Sequence, residues 1–307
     1  MIFEVAGHRF VLALNQDLIS RGWFKPFEPF QTGDKTVESL FSLSIDTGLP
    51  PSLPQGSPLF PDDSAKEFPL METYHTENGD IYKMAVTHDD KQIFYLQTNQ
   101  DYTQSTFYLN LPKNADDLYY HKALFEWNIA ARMLYSINTA PYNTISIHAS
   151  AVEMKGKAYL FLGLSGAGKS THSELWLQHC KDTQLINDDN PVIRLNSDNQ
   201  PVVYGSPWSG KTPCYKNINY PLGGMAQIIK GPQNLSRPFR TIDAYRMVWK
   251  SSATHHWIPR IGDGLYFTCE KIITQVPMIQ LQCTISEEAV KVCQKALTKQ
   301  EFTDENH

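Results

Sequence analysis

The first third of the chain shows short stretches of alternating or apolar residues rather than a helical period. Residues 2–5 and 8–14 read as two strands folding back on each other about Ala6-Gly7. Residues 80–87, 92–98 and 105–111 have strand composition and are set off by Asn-Gly and Asp-Asp turn signals. Residues 48–69 hold six prolines and read as a loop or linker. The period then changes. Leu118, Lys122, Phe125, Ile129 and Met133 lie three or four apart, which predicts an amphipathic helix running to about Tyr135. Asn114 is its expected cap, with Asp116 and Asp117 in the favourable first turn. This helix is read as opening a second domain, so residues 1–112 form a β-rich N-terminal domain and residues 113–307 the rest.

Ile145, Ile147, Ala149 and Ala151 alternate along a predicted strand over 144–154, followed by a tight turn at Lys155-Gly156 and an apolar strand over 158–162. If Met154 faces Lys157 across that turn, the register puts His148 opposite Gly163. A helix over 170–179 follows, with Leu175, Trp176 and His179 on one side. Further on, 221–229 reads as a strand and 241–249 as a helix. A last helix covers 286–297, capped by Ser286 with Glu287 and Glu288 in its first turn, and the tail after residue 299 is polar.

Composition narrows the class. At 41% hydrophobic and 19% charged residues the chain is that of a soluble globular protein. Its net charge of −5, without a basic block, argues against nucleic acid or an anionic membrane as partner. Five cysteines with no C-x-x-C pair point to reduced thiols and a cytoplasmic location. No signal-peptide pattern opens the sequence, and no run approaches the roughly 18 apolar residues of a membrane span.

The chemistry concentrates between residues 148 and 211. Gly163-Leu-Ser-Gly-Ala-Gly-Lys-Ser-Thr171 fits G-x-x-x-x-G-K-[ST], a phosphate-cradling loop, and it stands between a predicted strand and a predicted helix. Its glycines let backbone N–H groups approach phosphate oxygens, Lys169 adds a cation, and the Ser170 hydroxyl suits Mg²⁺. A nucleoside phosphate, ATP with Mg²⁺, is therefore the expected ligand. Its candidate contacts are Gly163, Ser165, Gly166, Ala167, Gly168, Lys169, Ser170 and Thr171. Asp188 and Asp189 follow the short apolar run at 185–186, at a strand end facing the same site. Such acids hold Mg²⁺ through water or accept the proton of an attacking hydroxyl; Asn-Asp-Asp-Asn-Pro is also good turn chemistry. Gly205 and Gly210 bracket Trp208, expected to be exposed, and Lys211 follows, a composition that suits a lid or a plain surface loop.

His148-Ala-Ser-Ala-Val, the glycine loop and Asn187-Asp-Asp, in that order and spacing, resemble the catalytic domain of HPr kinase/phosphorylase over roughly residues 140–230. The resemblance implies an α/β fold, with a P-loop core of the HPr-kinase/phosphoenolpyruvate-carboxykinase type behind the β-rich N-terminal domain. It implies that Lys169 neutralises phosphate, Ser170 binds Mg²⁺, Asp188 is the base and His148 holds the acceptor or the phosphate. Lys211 completes the candidate catalytic set, and Asp189 joins Ser170 as a candidate Mg²⁺ ligand. The Glu-x-x-Gly element of the HPr enzymes has no counterpart; residues 204–211 occupy its place. The expected activity is thus a kinase acting on a hydroxyl, serine above all, of a protein, peptide or small molecule. An ATP-sensing module without turnover and a carboxykinase-like enzyme are the alternatives. Members of such a family assemble, so a homo-oligomer is expected.

Overall fold

The N-terminal hairpin forms as the alternation predicts. β1 (Ile2–Val5) and β2 (His8–Ala13) pair antiparallel with Val5 opposite His8. Ala6 and Gly7 both take positive φ, 50° and 72°, matching the twist of a two-residue hairpin. The structure is a computed structural model that describes residues 1–34, 36–56, 58, 70–85, 92–210, 212–252 and 258–298. Lys211, residues 59–69 of the proline-rich stretch and the tail after residue 299 lie outside the described residues. The chain is mixed α/β, with two multistranded sheets and several helices, and it divides into compact units Met1–Asn138 and Thr139–His307.

In the first unit a short helix α1 (Gln16–Ser20) follows the hairpin. β3 (Phe41–Asp46), β4 (Leu70–Thr76), β5 (Gly79–Ala85), β6 (Phe94–Thr98) and β7 (Gln104–Tyr108) complete one sheet, ordered β1-β2-β3-β7-β6-β5-β4. β3 and β4 lie outside the predicted strands; the others agree within a few residues. Helix α2 (Asp117–Thr139) is present but turned from its predicted face. Of the predicted face Met133 is buried, but Leu118 and Phe125 are 60% and 50% exposed, while Tyr119, Ala123, Trp127, Ala130 and Leu134 are buried. The reason is aromatic volume: Trp127 packs 5.5 Å from Trp23 and 5.6 Å from Phe27, ring centre to ring centre. Asp116, not Asn114, caps the helix, its Oδ1 accepting the Tyr119 N–H at 2.8 Å. Tyr135 Oη donates to Val5 O and Asn138 Nδ2 to Tyr102 O. With the helix tied to the first sheet, the first compact unit runs to Asn138 and includes it.

In the second unit the strand predicted over 144–154 is two strands. β8 (Thr144–Ser146) ends before Ile147-His148, and β9 (Ala149–Met154) begins after them. β10 (Lys157–Leu162) pairs antiparallel with β9, Met154 opposite Lys157 and Ala149 opposite Leu162, the register read from the sequence. After α3 (Lys169–His179) come β11 (Thr183–Asn187), β12 (Val192–Leu195), β13 (Pro201–Tyr204), β14 (Asn219–Lys230) and β15 (Leu235–Pro238). α4 (Thr241–Ser251), α5 (Pro259–Gln275, not predicted), β16 (Met278–Cys283) and α6 (Glu287–Thr298) close the unit.

The strand pairing fixes where a ligand can sit. β10, β14 and β16 are mutually parallel, and β9 is antiparallel to both β10 and β11. The C-terminal ends of β11, β10, β14 and β16 therefore share one sheet edge with the start of β9. Their order along it is β11, β9, β10, β14, β16. β8 pairs with β12 instead, so His148 marks the point where the chain leaves one sheet limb and joins the other. Residues of α3 and α6 share one core with those strands, including Phe161, Trp176, Leu281 and Cys293. The buried side of α3 is His172, Ser173, Leu175 and Trp176; the predicted His179 is exposed, because the helix turns its first two turns to the sheet. Among the described residues no helix is long and apolar enough to cross a membrane.

Candidate functional site

β10 delivers the chain to the loop. Gly163 has φ +148°, and a Cβ there would stand 2.9 Å from Ala167 Cβ and 3.2 Å from Ile228 O. Gly166 (φ +75°) and Gly168 (φ +106°) are also left-handed, and Ala167 N–H donates to Leu164 O at 3.0 Å to close the loop. Gly168 caps α3 without a side chain, so the helix opens with its first amides toward the loop. Lys169 is only 8% exposed. Its Nζ donates to Gly163 O at 3.0 Å, to Leu164 O at 3.2 Å and to His148 Nε2 at 3.0 Å.

His148 is thus brought to the loop, as the hairpin register implies, and it is shared with the acid pair. Its Nε2 accepts from Lys169, so the proton sits on Nδ1, which donates to Asp189 Oδ1 at 3.0 Å. Asp189 Oδ2 accepts from Asn190 Nδ2 at 2.5 Å. The acid turn is built, not loose. Asn187 Oδ1 accepts the N–H groups of Asp189 (2.9 Å) and Asn190 (2.8 Å), while Asn187 Nδ2 donates to Ser206 Oγ at 3.1 Å. The turn reading and the site reading of 187–190 are therefore compatible.

Asp188 is 6% exposed. Ser150 Oγ donates to its Oδ1 at 2.9 Å, and Ser150, its hydrogen so committed, accepts from Ser173 Oγ at 2.6 Å. Asp188 Oδ2 is buried and has no hydrogen-bond partner among the described residues. A buried carboxylate oxygen left unpartnered costs free energy unless a ligand or solvent meets it. Ser150 and Ser173 are site residues that the sequence pattern did not single out. Their one signal is a hydroxyl between two alanines in a strand and a second one four residues past Lys169 on α3.

The segment 205–210 crosses the acid turn. A Cβ on Gly210 would lie 3.1 Å from both Asp188 O and Asp189 Cβ, and one on Gly205 would overlap Lys216 O. Trp208 is 5% exposed, which corrects its predicted exposure: its backbone N–H donates to the buried Ser206 Oγ, which anchors the segment inward. Together these parts surround one cavity of about 510 Å³, the size of a cofactor site. Its wall includes Ser165, Gly166, Ala167, Gly168, Lys169, Ser170 and Thr171 of the loop, together with His148, Asp188, Asp189 and Gly210. Gly163 shapes the loop from behind it. His172 also lines the cavity; it is 2% exposed, and burial lowers its pKa to about 4.

No family model matches the sequence, and the search of curated proteins found no match. Solved structures do match, one of them the Hpr(Ser) kinase/phosphatase from Coxiella burnetii. It shares 15% identity at a TM-score of 0.27, over 48% of this chain and 90% of that one. So distant a likeness carries no argument about this chain's chemistry.

Proposed function

We propose that the protein is an ATP- and Mg²⁺-dependent kinase that transfers phosphate to a hydroxyl, serine being the expected acceptor group. On this reading residues 139–307 carry a P-loop core of the HPr-kinase/phosphoenolpyruvate-carboxykinase type, working in the cytoplasm. The observation that carries the proposal is the buried Asp188 with its unpartnered Oδ2, on the wall of the cavity that the glycine loop and Lys169 also line.

Each residue then has a task. The loop amides and Lys169 hold the phosphates and balance their charge. Asp188 Oδ2 accepts the proton of the acceptor hydroxyl, while Ser150 keeps the other oxygen in place. His148 and Asp189 position Lys169. Ser170 and Asp189 offer the hydroxyl and carboxylate oxygens that Mg²⁺ prefers. Mg²⁺ of this kind is ordinarily held by one or two protein oxygens together with phosphate and water. Bound Mg²⁺ would neutralise phosphate charge.

The test is transfer of labelled γ-phosphate from ATP into fractionated host extract, repeated with Asp188→Asn on the acceptor so found. The wild-type protein labels an acceptor, and the variant binds Mg-ATP within a few-fold while transfer falls at least about a hundredfold. Transfer at the wild-type rate by Asp188→Asn removes the base assignment. ATP binding with no transfer to any fraction makes the protein a sensor rather than a kinase.

A further inference from the structure

Asp188 is the last member of a chain of hydrogen bonds that begins on α3. Ser173 Oγ donates to Ser150 Oγ at 2.6 Å, and Ser150 Oγ donates to Asp188 Oδ1 at 2.9 Å, so the donors run one way from α3 through β9 to the acid turn. We infer that Ser173 is a positioning residue for phosphoryl transfer: through Ser150 it ties the direction of the Asp188 carboxylate to α3, the helix that also carries Lys169. This role rests on the kinase reading above.

Packing alone does not call for either hydroxyl. Ser150 lies opposite Phe161 in the β9–β10 register, and the Phe161 ring meets Trp176 of α3 at 5.3 Å. Val152 and Met154, which follow Ser150 on the same face of β9, belong to the apolar core with Phe161 and Trp176. Ser150 and Ser173 are both fully buried, and a hydroxyl in such a place costs free energy unless it is hydrogen-bonded. Their chain of bonds ends on a carboxylate, where a hydrogen bond is strongest. Among the described residues no other side chain hydrogen-bonds Asp188, whose Oδ2 is left for the acceptor. Without Ser150 nothing would fix which way that oxygen points.

Helix α3 meets this part of the chain twice, one turn apart. Lys169 Nζ reaches His148 Nε2, just before β9 begins, and Ser173, four residues on, reaches Ser150 within it. The cation for phosphate and the base for the acceptor are thus both held from one face of one helix. Ser173 touches Asp188 only through Ser150, so the two serines act in series.

The experiment uses the full chain, Mg-ATP and the acceptor found with labelled extract, and it reads turnover and Mg-ATP affinity separately. Ser150→Ala lowers kcat at least about tenfold, the order expected when a hydrogen bond to a charged group is lost, and Ser173→Ala lowers it about threefold. Both variants keep a cooperative melt and bind Mg-ATP within about twofold of wild type. The double variant turns over within about twofold of Ser150→Ala, because Ser173 has no other route to Asp188. In an Asp188→Asn chain, Ser173→Ala lowers the residual transfer no further. If Ser173→Ala turns over as wild type does, or if the two single losses multiply in the double variant, the positioning role is wrong. Loss of Mg-ATP affinity in step with turnover also overturns it, since the serines would then support the loop and not the base. If the wild-type protein labels no acceptor, the kinase reading itself fails, and this role fails with it.

Discussion

His172 shows how one residue ties the site to stability. It sits in the first turn of α3, accepts the Trp176 Nε1–H at 3.1 Å and meets the Phe161 ring edge-on at 4.7 Å. Its Nδ1 is buried with no partner among the described residues. An imidazolium there would lose its hydration and face the positive end of the helix, so burial depresses the pKa from 6.5 to about 4. Between those values the unfolded chain binds the proton and the folded chain does not. The neutral ring's full contribution is therefore present above pH 6.5 and is lost as pH falls toward 4. The loss amounts to about 3 kcal/mol at most. His172→Gln keeps a side-chain acceptor for Trp176 and removes the titration. Urea melts from pH 7 to pH 4 should show wild type losing stability faster than the variant; parallel curves would mean that the ring is hydrated in the folded protein. None of this is visible in the sequence, where His172 is simply the residue after Thr171. Asp188 differs, because its place just after a short apolar run, downstream of the glycine loop, marks it in the sequence itself.

At the scale of elements, what was legible was local. The turn at Lys155-Gly156 fixes the β9–β10 register, and that register alone carries His148 to the loop. The face of α2 was not legible, since it is chosen by Trp23 and Phe27, far away in the chain, and not by the helix's own period. The burial of Trp208 likewise depends on Ser206, which bridges to Asn187 and Asn190. Helix α5 escaped prediction in part because it carries two glycines, Gly262 and Gly264, and those two make opposite predictions. A Cβ on Gly262 would meet nothing, whereas one on Gly264 would overlap the Ala140 carbonyl, so the helix lies directly against that backbone. Gly262→Ala should stabilise the protein by up to about 1 kcal/mol, through helix propensity alone. Gly264→Ala should instead destabilise it by roughly 1–3 kcal/mol, because neither backbone can yield without cost. Thermal melts of the two variants decide the matter. Equal shifts would show that α5 does not pack against residue 140.

At the scale of the whole chain, every cysteine lies in the second unit, and all five are free: Cys180, Cys214, Cys269, Cys283 and Cys293. Their thiols thus report on the unit that carries the site. Burial raises all five pKa values, that of Cys269 to about 12, and so suppresses the reactive thiolate. Cys180 alone is only partly buried; it accepts from Gln294 Nε2 at 2.7 Å. Cys269 and Cys293 are fully buried, and reagent reaches them only when the fold opens. Cys283 differs from both, being 9% exposed on the cavity wall at the end of β16. Maleimide labelling followed by peptide mass mapping should therefore modify Cys180 first, with Cys283 next. Cys269 and Cys293 should react only in denaturant. Mg-ATP should slow Cys283 and leave Cys180 unchanged, because a ligand in the cavity covers one sulfur and not the other. Rapid labelling of Cys293 without denaturant would mean that α6 does not hold its core against the sheet. Labelling of Cys283 at the same rate with saturating Mg-ATP would mean that the bound nucleotide does not cover the end of β16.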